Sequence, residues 1–337
     1  MNQATSGYKA VARLYNALMT GVVLTLVSQR GKEPARQFVQ AHFRRQHLEK
    51  FLPGLKKLGL DGLPDAVACA RYHYLSNALG GVKTEYVEES DAKAWVRYPP
   101  PRWIWQGTAI CGVPTEVNAA MLHGWHGHNG VSLGNPRLGF VCTGLTTDGD
   151  PGLEGYYIDY GRPIAEPERV RYARDERMPR FDPARAPKLD VASWPAERLA
   201  KVERAYAVEY LRSLVPTLAQ LFGEPEMAAI LGRTARLIGM QFYDDMATML
   251  GASGRTPAAF LDLTAALLRA SGETVEIADG ELRQSGWKAM DGIEAPAIAL
   301  GAWNEMLAGM LAVHDRFLSL TMEDRRQRDG FVAWRVG

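Results

Sequence analysis

Residues 81–105, GVKTEYVEESDAKAWVRYPPPRWIW, decide the fold class, because the hydrophobic period changes inside them. Upstream, Val11, Leu14, Tyr15, Leu18 and Val22 recur at helical spacing and predict a helix over about 8–28. Pro34, with Glu33 beside it, suits the first turn of a second helix running through Phe38, Ala41, Phe43 and Leu48 towards Pro53. A third spans about 63–79 and is broken by Gly80-Gly81. Within the quoted stretch, Val82, Thr84 and Tyr86, then Trp95 and Arg97, alternate about the acidic turn 88–91, which predicts a β-hairpin. Pro99-Pro100-Pro101 ends it, since proline cannot donate to a ladder. Trp103-Ile104-Trp105 then reads as a short strand leading to Cys111.

Further along, Pro114 and Glu116 open an amphipathic helix carrying Val117, Ala120, Met121 and His123. Residues 137–143 and 155–160 read as a second hairpin across the loop DGDPG, 148–152. The expected class is α+β. Residues 162–195, rich in proline, arginine and acidic residues, have little periodicity and read as a linker or wrapping arm. Helical spacing resumes over about 196–223, 225–250 and 257–268.

This second run of helices echoes the first. Glu33-Pro34 recurs as Glu224-Pro225, and the same spacing places Gly81 on Gly272 and Glu85 on Glu276. Gly155-Tyr156 matches Gly330-Phe331 at a shorter spacing, so the second half is the shorter between its first and last strands. The reading is a duplication. Residues 1–161 form a copy carrying the site, 162–195 join the copies, and 196–337 form a shortened, structural copy. Each copy has three helices, then a small antiparallel sheet and a helix.

The pattern ARLYNALMTGVV…GKEPARQFVQAHF followed by a β-region resembles the L-2-amino-thiazoline-4-carboxylic acid hydrolase-like proteins, and more weakly the 4-vinyl-reductase small-molecule-binding domains. The resemblance implies α+β domains whose N-terminal helices and antiparallel sheet enclose a small-molecule pocket. It covers about 8–160 and, less closely, 200–336. It carries no catalytic motif over.

Composition narrows the function classes. A formal net charge of +1 provides no basic field for a nucleic acid. Three cysteines without close spacing make neither a disulfide framework nor a metal knuckle, so a reducing compartment is expected. The N-terminal segment lacks a charged region followed by an unbroken apolar core, and the run 21–27 is shorter than the roughly 20 residues of a membrane span. The expectation is a cytoplasmic protein without nucleic-acid or membrane partners. It would act on a small molecule and could assemble with further copies of itself.

Chemically capable residues concentrate in RWIWQGTAICG and HGWHGHNG, which the second half lacks. His123 and His126, three apart, would share a helix face, and His128 could fold back onto it. These three are also an alternative site for a divalent metal, although no established zinc spacing is present and the first reading has no cofactor. Cys111 precedes a helix entry, where the dipole would favour a thiolate, and His126 or His128 could complete a Cys–His pair. Arg137 is the expected carboxylate anchor, with Asn129, His123, Trp103 and Trp105 contacting substrate. Cys142 and Glu85 read as structural, and the pair Asp244-Asp245 lacks the second acidic cluster a diphosphate site needs. The expected function is a hydrolase or lyase cleaving a C–N or C–S bond in a compact polar, even heterocyclic, substrate. The alternative is a non-catalytic sensor or carrier.

Overall fold

The computed structural model describes residues 3–100, 107–189 and 194–337. Two compact units emerge: residues 26–195, and residues 1–25 together with 196–337. The first helix, α1 (Gln3–Arg30), belongs to the second of these through Thr25. The boundary expected at 161 is therefore not one, and the first helix is not part of the unit that follows it in sequence.

In the 26–195 unit, α2 (Lys32–Lys57) starts after Gly31, whose φ of 84° only glycine adopts readily. Its buried face recurs at three and four residues: Ala35, Phe38, Val39, His42, Phe43, Gln46, His47, Phe51 and Leu55. Pro53 lies inside the helix rather than ending it. After α3 (Asp65–Leu79) come β1 (Glu85–Ser90) and β2 (Lys93–Tyr98), the expected hairpin with a tighter turn and a bulge between Glu88 and Ser90. Then α4 (Thr115–Gly124), a single turn α5 (Asn129–Ser132), and the second hairpin of β3 (Leu138–Gly144) and β4 (Leu153–Asp159) complete the order. Every residue of β3 is buried, which explains why LGFVCTG reads as a continuous apolar run rather than an alternation.

The segment after β4 is part of this sheet. β5 (Val170–Tyr172) pairs parallel with β3, giving the order β1-β2-β4-β3-β5. Beyond it, Met178 is buried against Trp95, Val141 and Tyr156, and its backbone N–H donates to Glu154 Oε1 at 3.0 Å. Of the two expectations for this stretch, linker or wrapping arm, the second describes it, although the composition hides these few anchors among exposed charges. Over 162–189 the chain is a strap bound to the sheet.

In the other unit, Val11, Leu14, Tyr15, Leu18 and Val22 of α1 are all nearly inaccessible, as the helical spacing requires. By length and composition α1 could cross a bilayer, but 67% of its apolar window is buried inside the protein. Its Gly21 approaches Thr234 and Ile238, and Thr25 and Thr234 share a hydroxyl hydrogen bond of 2.8 Å. The chain continues as α6 (Ala196–Phe222), α7 (Glu224–Leu250), α8 (Pro257–Ser271), β6 (Thr274–Ala278), β7 (Glu281–Ser285), α9 (Ala299–His314), β8 (Leu320–Arg325), the turn α10 (Arg326–Asp329) and β9 (Phe331–Val336). The sheet order is β6-β7-β9-β8, the same connectivity as the first four strands of the other sheet. Like α2, α7 begins after a left-handed glycine, Gly223. The fold is α+β, with two small, mainly antiparallel sheets.

Candidate functional site: a pocket on α4

Pro114 and Thr115 start α4, and Glu116 in its first turn suits the positive end of the helix dipole. Val117, Asn118, Met121 and Leu122 are buried, while Glu116 and His123 face outward. The helix ends at Gly124, where it crosses α2 closely. A Cβ at Gly124 would lie 2.6 Å from the Gln40 carbonyl oxygen. Arg44 of α2 covers this end, its Nε donating to Gly124 O and its Nη2 to His123 O, both at 2.8 Å.

The outward face of α4 floors a pocket of about 300 Å³, walled by Arg36 of α2, Leu145, and Tyr172 and Arg174 of the strap. His123 and Tyr172 face each other across it, with 3.4 Å between Nε2 and the phenolic oxygen. Arg36 is steadied by two hydrogen bonds to Glu33 (2.9 and 2.8 Å) and one to Gln40 (3.2 Å). Arg174 pairs with Asp148, which also accepts from the Thr115 hydroxyl. At the rim, Glu116 pairs with Lys32 at 2.6 Å. The pocket wall strips solvent from the imidazole of His123, and Arg36 and Arg44 add like charge. All three lower its pKa below 6.5, leaving a neutral ring at neutral pH. Desolvation pushes the Tyr172 hydroxyl up to about 12, so it stays protonated. Two guanidinium groups, each also paired with a carboxylate outside the lining, with a neutral imidazole and a hydroxyl donor around an apolar floor, outnumber the single lining carboxylate, Glu116, and suit a compact anion.

Past Gly124 the chain turns inward. His126 is buried, and Asn129 Nδ2 donates to Tyr157 Oη at 3.0 Å, so the phenol proton goes to His126 Nδ1, 2.6 Å away. Burial raises the Tyr157 pKa further. The His126 ring stacks on His73 with centroids 4.3 Å apart, and burial drives the His73 pKa down to about 3. His128, half-buried, meets His47 edge-on at 5.2 Å; its pKa is lowered by burial and then by Arg44 and Arg169. Such groups act as packed polar spacers between α2, α3 and the sheet.

The histidines of HGWHGHNG therefore go three ways. His123 and His126 share no face, because the helix ends between them. His123, His126 and His128 do not form a metal-ligand set, and among the described residues no group of three or more His, Cys, Asp or Glu side chains could hold a metal ion. Cys111 is exposed in a single 3-10 turn (Gly107–Gly112) before α4, whereas His126 lies beyond the other end. Ten helical residues, about 15 Å of rise, separate them, so the Cys–His pair is not assembled. Arg137 is engaged by Asp159 at 2.9 Å. Asn129 belongs to the buried network, and Trp103 and Trp105 lie outside the described residues. Among the described residues of the expected site, only His123 lines the pocket. Sequence reading missed Arg36, which looks like an ordinary helix-surface charge, and Tyr172 and Arg174, which sit in the linker or wrapping arm where no site was expected. Comparison with known protein families, with curated proteins and with solved structures finds no match.

Proposed function

We propose that the 26–195 unit binds a compact anionic small molecule in the α4 pocket, as a sensor or carrier does. The observation that carries this reading is the convergence of Arg36, Arg174, His123 and Tyr172 from three separate segments on one cavity of about 300 Å³. That volume sits at the small end of ligand pockets, which fits a molecule of a few heavy atoms more than an extended one. The shared strand order and the glycine that opens α2 and α7 support the further proposal that the two units descend from one duplicated domain.

A second reading, a hydrolase or lyase acting on a C–N or C–S bond, is favoured by one feature. A neutral imidazole beside the pocket is competent as a general base. In that case His123 takes the role expected of His126 and His128, and no cysteine nucleophile is involved. The resemblance to thiazoline-carboxylate hydrolase-like proteins is consistent with either reading.

The test is an NMR titration with acetate, inorganic phosphate and methylguanidinium, following the His123 imidazole and the Tyr172 ring. The anions are expected to shift both residues saturably, and Arg36→Met with Arg174→Met to abolish the shift. A response to methylguanidinium alone, or none to either anion, would discard the anion assignment.

A further inference from the structure

We propose that Arg44 is the positioning residue of the pocket histidine, holding the last turn of α4 so that His123 faces the cavity while the chain beyond turns into the core. This inference deepens the pocket reading and rests on it. The last carbonyls of a helix have no partners within the helix, and their orientation fixes the side chains of that turn. Here one guanidinium satisfies two consecutive carbonyls, those of His123 and Gly124, through separate nitrogens at 2.8 Å each. The close crossing at Gly124 brings Arg44 within reach. Its absent side chain lets the Gln40 carbonyl, the Phe43 Cβ and the Arg44 backbone nitrogen come within about 3 Å of where a Cβ would stand. Trp125 follows immediately, leading to His126 and its bond to Tyr157. Arg44 thus grips the point where the outward and inward histidines part.

The charged and titratable groups facing His123 are Arg36 and Arg44 from α2, Glu116 from its own helix, and Tyr172 and Arg174 from the strap. Glu166 opposes part of the Arg44 charge, and the guanidinium still adds like charge beside the ring it positions. Two effects follow from one side chain: the fork sets geometry, and the charge disfavours imidazolium.

Arg44→Met and Arg44→Lys separate them in the full-length chain. His123 is titrated by NMR, and acetate affinity is measured at a pH where the ring is neutral. Arg44→Met is expected to move the His123 titration up towards 6.5 and to weaken acetate binding about fivefold to tenfold. Arg44→Lys keeps the charge and loses the fork, so the titration stays near the parent's while affinity falls. A folded Arg44→Met protein whose acetate affinity and His123 titration both match the parent's overturns the proposal. Should Arg44→Met not fold, unchanged acetate affinity in Arg44→Lys overturns it instead. If the parent itself ignores acetate, the pocket reading fails, and the His123 titration still decides what Arg44 does.

Discussion

Lowering the pH from 7.5 to 5.0 should destabilise the 26–195 unit by about 4 kcal/mol through two histidines alone. His42 and His73 are completely enclosed, and desolvation drives both from 6.5 to about 3. In the unfolded chain they return to 6.5, so as pH falls through that value the unfolded state binds protons that the folded state refuses. Their contribution is fully present above pH 6.5 and is lost on acidification. At pH 5.0 the gap between 6.5 and the working pH is worth about 2 kcal/mol per histidine, and the result is the same for any folded pKa well below 5. His47, also driven to about 3, adds in the same direction. Carboxylates held below their ordinary values, such as Glu33 and Glu168, lose stabilisation only below about pH 4.5 and do not enter this window. In the other unit, burial raises the Glu273 pKa, a shift that adds stability as pH falls, because the folded state holds its proton more firmly. Pulse hydrogen exchange across urea series equilibrated at pH 7.5 and 5.0 reads the units separately, through peptides of α2 and α3 against peptides of α8. The α2 and α3 midpoint should drop steeply on acidification, and His42→Leu should remove about a third of the loss that His42, His73 and His47 cause together. Equal midpoints at both pH values in the parent would refute the reasoning.

Two further substitutions probe packing. α7 and α9 touch backbone to backbone, since a Cβ at Gly309 would stand 2.1 Å from the Arg236 carbonyl oxygen and one at Gly239 equally close to that of Met306. Gly309→Ala must push the helices apart and should cost about 1–3 kcal/mol, seen as a lower midpoint in α8 and α9 peptides and not in α3. Tyr157→Phe leaves His126 Nδ1 and one Asn129 N–H without the buried hydroxyl and should cost about 1–3 kcal/mol by urea unfolding, with acetate binding in the α4 pocket unchanged.

Much of the fold was legible in the sequence because it rests on local signals. The helical spacing of α1, the alternation of β1 and β2, and Glu33-Pro34 with its counterpart Glu224-Pro225 each report backbone geometry within a few residues. Two assignments failed for lack of such a signal. Nothing in Val11, Leu14 and Leu18 says which unit their apolar stripe will cover, because periodicity gives a face and not its partner. Nothing in PEPERVRYARDERMPRF marks three residues as a parallel edge strand, since β5 is short, mostly exposed, and pairs through backbone groups that any residue supplies.

The site was legible only in part for the same reason, compounded by one residue. Residue type pointed correctly to HGWHGHNG as chemically unusual, and helical spacing then implied that His123 and His126 act together. That inference holds only while the helix continues. Gly124 lies between them, and the steric demand that makes it glycine comes from α2, about eighty residues earlier in the chain. A small residue required by a distant backbone thus marks the place where the helix ends, with one histidine before it at a solvent-facing pocket and the other beyond it bonded to a tyrosine in the core. The pocket's remaining walls, Arg36 on one side and Tyr172 with Arg174 on the other, come from stretches whose charged and polar residues look like any solvated face. Their function lies in tertiary position, so Gly124→Ala is the sharpest perturbation of the whole arrangement. It should disturb the α2–α4 crossing, displace both histidines together, and shift the NMR signals of His123 and Tyr157 in one protein. A variant that moved neither would show that α4 ends there for some other cause.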